Sequence, residues 1–399
     1  GLPLEVSFCK SCVISNQRPS STAEFKNDGK APKQSIRLDA QGICDACRVK
    51  DQKGSIDWDA REKELRELCD RYRREDGHYD CLVPGSGGKD SFIQAHLLKY
   101  KYKMNPLTVT WPPILYTDYG KKNFDNWLSV GGFDNITLKP NPKVQKILTK
   151  LSIEKLLHPF QTFILGQKNL APKIAKQHNI NLVFFGENEA EYGNPISDNL
   201  NSVRDKSYYT YQNIKDVYLA GTKVSELISR YKINLSDLSL YLPLKLDDYK
   251  TKDLQIHYLG YYLKWVPQEA YYYAVDNTGF KARPHRTEGT YSKYNSIDDK
   301  IDDLHHYTRF IKFGIGRATD DASQEIRNNH INREEAKRLV KRFDGEFPQR
   351  YFEEIMDYLE IKPKNFLKLC DKFRSPHLWK KIRNEWRLRH TVNKDGVDD

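Results

Sequence analysis

Two groups of residues in this sequence have the types and the spacing that chemistry requires. The first is a glycine-rich turn, PGSGGKDS, which runs from Pro84 to Ser91 between an apolar stretch and a helical pattern. Consecutive glycines allow positive φ, so several backbone N–H groups can point into one concavity. The N-terminus of the following helix adds further donors and partial positive charge. The turn is therefore typical of a phosphate-binding loop.

The side chains of this turn fit the same chemistry but depart from the kinase-type loop. Ser86, Lys89 and Ser91 can add contacts to a phosphate group. In the kinase-type loop a hydroxyl residue follows the lysine and holds magnesium, whereas Asp90 follows it here, and the four-residue spacer between glycines is absent. The alternative is a structural turn between a strand and a helix, capped by Asp90 and Ser91.

The second group is two Cys-x-x-Cys pairs with 31 residues between them: Cys9, Cys12, Cys44 and Cys47. Two such turns can supply four thiolates to one tetrahedral ion, which predicts a closed, structural zinc site. The inner spacing is longer than in a standard zinc ribbon. Four unrelated reduced cysteines are the alternative, and a zinc module of this kind can contact either nucleic acid or protein.

An acidic turn, GENEAEYG, follows a strongly apolar predicted strand. It contains Glu187, Glu189 and Glu191. Ligands of open α/β sheets bind beyond the carboxyl ends of the strands, so we expect these side chains at the ligand edge. Glu189 is the candidate for a magnesium-binding or base role, and Glu187 and Glu191 are candidates for substrate binding. A solvated acidic turn is the alternative.

A further concentration of polar residues lies between positions 285 and 327. Lys312 and Arg317 are candidates for a clamp on phosphate groups, which Arg can hold bidentately. Arg286, Tyr291 and Lys293 are candidates for substrate binding, and the tyrosine ring could stack on a sugar or base. Helix surface followed by a glycine-rich connector is the alternative.

The elements that must position these residues alternate between strand-like and helix-like segments. Helices are predicted over 57–75 and 266–280, and strands are predicted for YDCLVPG, PLTVTW, NITLKP, INLVFFGEN and IHYLGYYLKW. This alternation predicts a parallel sheet with helices on both faces. From about residue 284 only helices are predicted, including one for HLWKKIRNEWRLRH.

The chain accordingly divides into three predicted parts. Residues 1–56 form the four-cysteine module, residues 57–283 form the parallel-sheet domain, and residues 284–399 form a mainly helical region for substrate or partners. Residues 194–255 are a possible insertion. The predicted fold class is α/β, Rossmann-like, with an N-terminal four-cysteine module and a helical C-terminal region.

Composition limits the classes of function. The net charge is +11, and the mean hydropathy is −0.76. A basic chain attracts phosphate-bearing partners, although nucleic acids, nucleotides and nucleotide-sugars all satisfy that requirement. No apolar run reaches the length of about 18 residues that a membrane helix requires. The N-terminus lacks the layout of a signal peptide, so we expect no membrane insertion and a cytoplasmic protein.

The glycine turn also resembles a known motif. Ser86-Gly87-Gly88-Lys89-Asp90-Ser91 is similar to the PP-loop of the ATP pyrophosphatases. That resemblance implies an adenine nucleotide α-hydrolase-like sheet that splits ATP between its α and β phosphates. It also implies that adenine is received at the end of the second strand, PLTVTW, which places Thr110 at the nucleotide.

A wider set of segments resembles one family of PP-loop enzymes, the N-acetyl sugar amidotransferases of bacterial lipopolysaccharide or flagellin-sugar biosynthesis. The segments are FCKSCVIS, GICDACR, IDWDAREKEL, PGSGGKDS, HPFQTFILGQKN, FFGENEAEYG, RTEGTYSKYNSIDDKID and IKFGIGRATDDASQEIR. The resemblance covers most of the chain and is weakest over 194–255. It implies that ATP activates an acetamido oxygen, which ammonia then replaces to give an acetamidino group.

The same resemblance implies cofactors and partners. ATP, Mg²⁺ and structural Zn²⁺ are the expected cofactors, with Lys89, Asp90 and Glu189 in catalytic roles and Asp90 and Glu189 on magnesium. The substrate is a nucleotide-activated N-acetyl sugar. Cys69, Cys81 and Cys370 lie in core patterns, so no glutaminase nucleophile is evident. Ammonia is therefore expected from solution or from a partner glutaminase with a barrel-type synthase subunit.

Two other functions fit parts of the pattern. A PP-loop tRNA thiolase also combines a cysteine module, this loop and a basic chain, but it needs a reactive cysteine or an iron–sulfur cysteine trio near the nucleotide. A non-catalytic zinc-ribbon protein that binds nucleic acid leaves the glycine loop unexplained. We therefore expect that nucleic acid is not the partner.

Overall fold

The computed structural model describes residues 2–20, 24–30, 34–186, 201–250 and 253–394. Its centre is a five-stranded parallel sheet in the order β3-β2-β1-β4-β9. The strands of this sheet are β1 (Cys81–Pro84), β2 (Pro106–Thr110), β3 (Asp134–Thr137), β4 (Leu182–Phe185) and β9 (Gln255–Tyr258). The predicted parallel sheet is therefore confirmed, because every neighbouring pair of these strands runs in the same direction.

Helices account for most of the remaining described residues. The helices up to the end of the sheet domain are α1 (Asp45–Lys53), α2 (Trp58–Tyr72), α3 (Lys89–His96), α4 (Asp118–Gly131), α5 (Pro142–Leu156), α6 (Gln161–Gln177), α7 (Val224–Ser229), α8 (Leu235–Leu238), α9 (Leu246–Lys250), α10 (Leu259–Tyr262) and α11 (Pro267–Thr278). The C-terminal helices are α12 (Asp302–Phe313), α13 (Arg317–Arg327), α14 (Arg333–Phe343), α15 (Phe352–Leu359) and α16 (Pro363–Phe373).

Strand side chains alternate between two hydrophobic cores. Leu82 and Val183 point into the core that α5 and α6 cover, whereas Val83 and Phe184 point into the core formed with α2, α3, α4 and α11. A strand buried on both faces reads as a continuous apolar run, which is why the sequence carries no polar alternation here.

Residues 201–250, part of the possible insertion, pack against the parallel sheet. They form the two-residue strands β5 (Thr210–Tyr211), β6 (Tyr218–Leu219), β7 (Thr222–Lys223) and β8 (Leu244–Lys245). Their buried side chains join the core on the α5–α6 face. The backbone N–H of Arg204 donates to the carbonyl of Ile256, and that of Tyr258 donates to the carbonyl of Ser202. The segment therefore covers the exposed edge of β9.

The predicted helix over HLWKKIRNEWRLRH is wrong. The chain forms an antiparallel hairpin there, with strands β10 (Trp379–Ile382) and β11 (Glu385–Leu388). Arg383 and Asn384 have φ of 49° and 67°, which is the left-handed pair that a two-residue hairpin turn requires. The indole N–H of the buried Trp379 donates to the carbonyl of Ile311. Tertiary packing of this tryptophan therefore outweighs the helical propensity of its charged neighbours.

The predicted strand over 256–265 is only partly correct, because the strand ends at Tyr258 and the four-residue helix α10 follows it. The following predicted helix is confirmed as α11, with Pro267 at its first turn and Gly279 at its end in the left-handed conformation.

The cysteine module packs against the C-terminal helices. Its four cysteines share a hydrophobic cluster with Ile315. The guanidinium of Arg333 donates to the carbonyl oxygens of Cys9 and Cys12, at 3.0 Å each. The predicted fold class is confirmed, while the three domain boundaries stay predictions. Among the described residues, no helix combines the length and the apolar character needed to cross a membrane.

Candidate active site at the glycine loop

The glycine loop has the conformation that its sequence predicts. Gly87 has φ of +89°, and a Cβ built on it would lie 2.5 Å from the Cα of Phe124 in α4. Both the backbone conformation and the close approach therefore exclude any other residue at this position. A Cβ on Gly88 would meet nothing within 4 Å. The backbone of Gly88 therefore borders open space at the N-terminus of α3.

Hydrogen bonds hold the loop on the sheet. The N–H of Gly85 donates to the carbonyl of Val109 in β2 at 2.9 Å. The N–H of Ser86 donates to the hydroxyl of Ser91 at 3.1 Å, so this side chain braces the turn from within α3. Lys89 is only 7% exposed, and its ammonium group lies 2.9 and 2.8 Å from the two carboxylate oxygens of Asp90. A buried ammonium group is thus held at the mouth of the loop.

A cavity of about 430 Å³ opens in front of this loop. Its lining combines the loop with the linker before α12, with α12 and α13, and with one residue of the cysteine module. The lining residues are Arg18, Gly88, Lys89, Asp90, Tyr294, Asn295, Ser296, Asp298, Asp302, Arg309, Arg317, Asp320, Asp321, Gln324 and Arg327.

The wall opposite the loop is rich in guanidinium groups. Arg309 forms an ion pair with Asp320, and the Nε of Arg317 donates to Asp321 at 2.9 Å. Burial opposes ionisation of Asp320, but the charges of Arg309 and Arg18 outweigh it and lower the pKa of this carboxyl group. Asp320 is therefore ionised at neutral pH and orients the two arginines. We call Arg18, Arg309, Arg317, Asp320 and Asp321 the arginine wall.

Carboxyl groups border the cavity next to the loop. Burial raises the pKa of Asp298, and hydrogen bonds with Ser86 and Asp302 oppose that rise. Burial and the charges of neighbouring carboxylates raise the pKa of Asp302 as well. The neighbouring Asp299 accepts from the N–H groups of Ile114 and Leu115, at 2.6 and 3.4 Å. These contacts fix the linker across the carboxyl ends of the strands.

A second cavity, of about 330 Å³, adjoins the first and shares part of its lining. Tyr294, Asn295, Asp321 and Gln324 face both cavities. The rings of Tyr271 and Tyr294 are stacked, with centroids 4.3 Å apart and planes 9° apart. The other lining residues are Pro267, Gln268, Ala282, Tyr291, Ser292, Lys293, Glu325, Asn328 and His330. Aromatic faces with amide groups at their rim suit a polyhydroxylated ligand.

The four cysteines of the N-terminal module converge as predicted. All four are buried, and their sulfur atoms lie within 4.8 Å of one another. The sulfurs of Cys12 and Cys44 are 3.7 Å apart, close to the ~3.8 Å that a tetrahedral ion with 2.3 Å metal–sulfur bonds requires. The N–H groups of Cys12 and Cys44 donate to the sulfur of Cys9, at 3.4 and 3.3 Å. The four cysteine sulfur atoms are therefore arranged as the ligands of a structural metal site.

The structure places the other predicted site residues differently. Arg317 lines the loop cavity, and Tyr291 and Lys293 line the adjoining one. Lys312 instead donates to the carbonyl of Leu156 at 2.7 Å and lines neither cavity. Arg286 is held bidentately by Glu346, at 2.6 and 2.7 Å, also outside both cavities. Neither residue lines a described cavity, so the clamp role of Lys312 and the substrate-binding role of Arg286 stay predictions.

Thr110 is the last residue of β2, as predicted, but its side chain forms a hydrogen bond within the sheet. It is fully buried, and its hydroxyl accepts from the amide of Asn135 at 3.0 Å. The acidic turn with Glu187, Glu189 and Glu191 lies outside the described residues, so the roles of these three residues stay predictions.

Several cavity residues were not found from the sequence. For α13 a signal exists, because Asp320, Asp321 and Gln324 follow the predicted Arg317 at the spacing of one helix face. Asp302 and Arg309 likewise share a face of α12, at a spacing of seven. Arg18 has no local signal, because only the docking of the cysteine module brings it to the cavity.

The C-terminal part of the chain is similar to a known family of domains. The model of a family described as "LPS biosynthesis protein WbpG-like, C-terminal domain" matches residues 288–393. An uncharacterized protein, MJ1599, of Methanocaldococcus jannaschii is 36% identical over 77 residues, which cover 19% of this chain and only 27% of that relative.

Two solved structures show weak similarity. The NH3-dependent NAD synthetase of Campylobacter jejuni, in complex with nitrate, has 18% identity and a TM-score of 0.27, covering 36% of this chain and 64% of that one. The U34-tRNA thiolase NcsA of Methanococcus maripaludis, with its [4Fe-4S] cluster, has 12% identity and a TM-score of 0.29, covering 72% and 82%. These TM-scores are too low to carry an argument. The chain thus joins a WbpG-like C-terminal domain to a five-stranded parallel sheet with a glycine loop and a four-cysteine cluster.

Proposed function

We propose that this protein is an ATP-dependent N-acetyl sugar amidotransferase. It would convert an acetamido group of a nucleotide-activated sugar to an acetamidino group and release AMP and pyrophosphate. The observation that carries the proposal is that one cavity is lined both by the glycine loop and by residues within the WbpG-like segment. A phosphate-binding loop and a domain named for lipopolysaccharide biosynthesis therefore meet at a single site.

The first step needs a good leaving group on an amide oxygen. The amide oxygen attacks the α-phosphorus of ATP, the bond from that phosphorus to the bridging oxygen breaks, and pyrophosphate leaves with the electron pair. The first residues of α3, the ammonium of Lys89 and the guanidinium of Arg317 all line the cavity. They can stabilise the charge that develops on pyrophosphate.

The second step replaces the oxygen. Ammonia attacks the activated carbon, AMP leaves with the former amide oxygen, and loss of a proton from nitrogen gives the amidine. Asp298 and Asp302 line the cavity with the loop, and burial raises the pKa of both carboxyl groups, so they are the candidates for accepting that proton.

Magnesium fits the carboxyl side of the cavity. Asp90, Asp298 and Asp302 all line it, and Asp298 and Asp302 are close enough to hydrogen-bond with each other. Oxygen ligands of this kind are those that Mg²⁺ prefers. When bound, the ion would neutralise charge on the phosphates. Glu189 remains a predicted further ligand.

The adjoining cavity suits the sugar. Its stacked tyrosines offer a ring face, and Lys293 and Gln324 offer polar contacts. The walls that the two cavities share would place an acetamido group of the sugar beside the loop. Ammonia would come from solution or from a partner glutaminase with a barrel-type synthase subunit.

The test is product analysis. The protein is incubated with ATP, Mg²⁺, ammonium and a panel of nucleotide-activated N-acetyl sugars. We expect one sugar to lose one mass unit, since NH replaces O, with AMP formed in equal amount. Formation of ADP instead of AMP, or turnover of ATP with every sugar unchanged in mass, contradicts the proposal.

The alternative of a tRNA thiolase is less well supported by the cysteines. Burial raises the pKa of Cys69 and of Cys370 to about 12, and raises that of Cys81 well above the value of a free thiol. None of the chain's seven cysteines lines the loop cavity. Sulfur transfer to tRNA in the presence of ATP is the outcome that would favour this alternative.

A further inference from the structure

One side chain of the loop cavity belongs to the cysteine module. The backbone of Arg18 is fixed within that module, because its N–H donates to the carbonyl of Ser15 and its carbonyl accepts from the N–H of Ile36. Its guanidinium reaches across to α13, where Nη1 lies 3.6 Å from a carboxylate oxygen of Asp320. The side chain is only 15% exposed and lines the same cavity as Lys89.

Arg18 lies in a cavity that is lined by many charged groups. The lining holds five basic side chains, of Arg18, Lys89, Arg309, Arg317 and Arg327, and five carboxyl groups, of Asp90, Asp298, Asp302, Asp320 and Asp321. Burial raises the pKa of Asp298 and of Asp302, which shifts the balance of the lining towards positive charge. Burial lowers the pKa of Arg18, as do the charges of Arg309 and Arg327, while Asp320 opposes this change. Guanidinium groups brought this close in a partly buried cavity are typical of sites that receive a polyanion.

The guanidinium of Arg18 can bind an anion in addition to its ion pair with Asp320. A guanidinium carries five N–H donors in a planar fork, and the ion pair of Arg18 within the described part of the chain engages one carboxylate oxygen, at 3.6 Å. Asp320 of α13 pairs with this guanidinium, and Asp321 of the same helix holds the guanidinium of Arg317 in the same cavity. The side chain is therefore oriented before a ligand arrives.

We propose that Arg18 binds the β and γ phosphates of ATP, and the pyrophosphate that they become. The four-cysteine cluster, six residues before Arg18 at its nearest cysteine, then serves to position a residue of the nucleotide site. This inference rests on the proposed function for the identity of the anion. It gives the cysteine module a role in the ATP site beyond stabilising its own fold.

Ligand binding tests this assignment without turnover. Dissociation constants for pyrophosphate, α,β-methylene-ATP and AMP are measured by calorimetry with Mg²⁺ present, for the wild type and for Arg18→Gln. Loss of one charge-assisted contact should weaken binding of pyrophosphate and of the analogue by about tenfold or more. AMP lacks both distal phosphates, so its affinity should stay unchanged.

Arg48→Gln is the matched control, because it removes the same charge from the same module. Arg48 pairs with Asp39 and Asp45 inside the module and lines neither cavity. We expect wild-type affinity for all three ligands. If Arg48→Gln weakens pyrophosphate binding as much as Arg18→Gln does, or if Arg18→Gln weakens nothing, the assignment is overturned. If the wild type binds neither the ATP analogue nor pyrophosphate, the proposed function is overturned as well. Failure of the Arg18 assignment alone is therefore distinguishable from failure of the proposed function.

Metal removal is the second test. Treatment with a chelator, followed by metal analysis, should reproduce the loss of pyrophosphate affinity and spare AMP, because Arg18 loses its fixed backbone. Unchanged pyrophosphate affinity in metal-free protein would show that the cluster does not position Arg18.

Discussion

The two sides of the loop cavity are built in opposite ways. The glycine loop places four contiguous residues, Gly85 to Gly88, between β1 and α3, and its conformation follows from Gly87 and from its contact with α4. The arginine wall brings together Arg18, α12 and α13, which are separated by nearly 300 positions in the chain. The conformation of the loop is therefore decided locally in the sequence, whereas the charged groups that share its cavity depend on how distant segments dock.

The largest expected effect comes from a substitution that disrupts the cysteine module, and with it the arginine wall, but leaves the glycine loop intact. Cys12→Ser removes one of four metal ligands, and a structural zinc ion stabilises its module by about 10–16 kcal/mol. We expect amides of residues 9–47 to lose protection from hydrogen exchange, while amides of β1 and α3 keep it. The control is Cys370→Ser, which alters a buried cysteine of α16 outside the cluster. Protected amides in a metal-free module would contradict the assignment of a structural metal site.

The next largest effect comes from a substitution that disrupts the glycine loop but leaves the arginine wall intact. Gly87→Ala forces a side chain into the left-handed region and against the backbone of Phe124, at a cost of about 2–5 kcal/mol. We expect a lower urea midpoint and loss of detectable ATP binding. Gly88→Ala is the control, since its Cβ meets no atom within 4 Å and its φ is −70°. Equal stability of the two variants would show that the loop is not constrained as described.

A smaller effect should distinguish an arginine that lines the loop cavity from one that lies outside it. Arg317→Gln should lower kcat/KM for ATP by about 100-fold, because one donor to the leaving group is lost. Arg286→Gln should leave kcat/KM near the wild-type value and cost about 1 kcal/mol of stability or less, since its pair with Glu346 is partly exposed. Steady-state kinetics and thermal melts measure both. The reverse order of the two kcat/KM values would restore Arg286 as a site residue.

The last effect concerns the pH dependence of stability and Asp344, which contacts the start of α13. Asp344 accepts from the N–H groups of Gly316 and Thr319 at the start of α13. Burial raises the pKa of Asp344 to about 6, helped by the charge of Asp320, although the hydrogen bonds oppose the rise. Because the folded state holds this proton more tightly than the unfolded state, stability should fall as pH rises from about 4 to 6 and then level off. The loss can reach about 3 kcal/mol.

Asp344→Asn tests that expectation, since it fixes a neutral side chain of the same shape. Its urea midpoint should lose the part of the slope between pH 4 and 6 that Asp344 causes. The loop should keep its affinity for pyrophosphate across the same range. An unchanged slope in the variant would assign the pH dependence to other groups.

The sequence predicted elements well where local signals agree. β1, the glycine loop and α3 were found because an apolar run, a turn and a helical pattern follow one another. The hairpin of β10 and β11 was missed because its charged residues also fit a helix, and only the packing of Trp379 against α12 favours the strand. Arg286 and Arg317 lie in equally polar surroundings in the sequence, yet one pairs with Glu346 and the other faces the loop.

What the sequence determined by itself is the chemistry of short segments. Positive φ at Gly87 and the convergence of two Cys-x-x-Cys turns depend on residues that are close together or on one ion, so spacing is sufficient. Tertiary structure alone decided which distant charged side chains face the loop. Ion pairs such as that of Arg18 with Asp320 depend on how separate segments pack, and the packing of separate segments leaves no periodic pattern in the sequence.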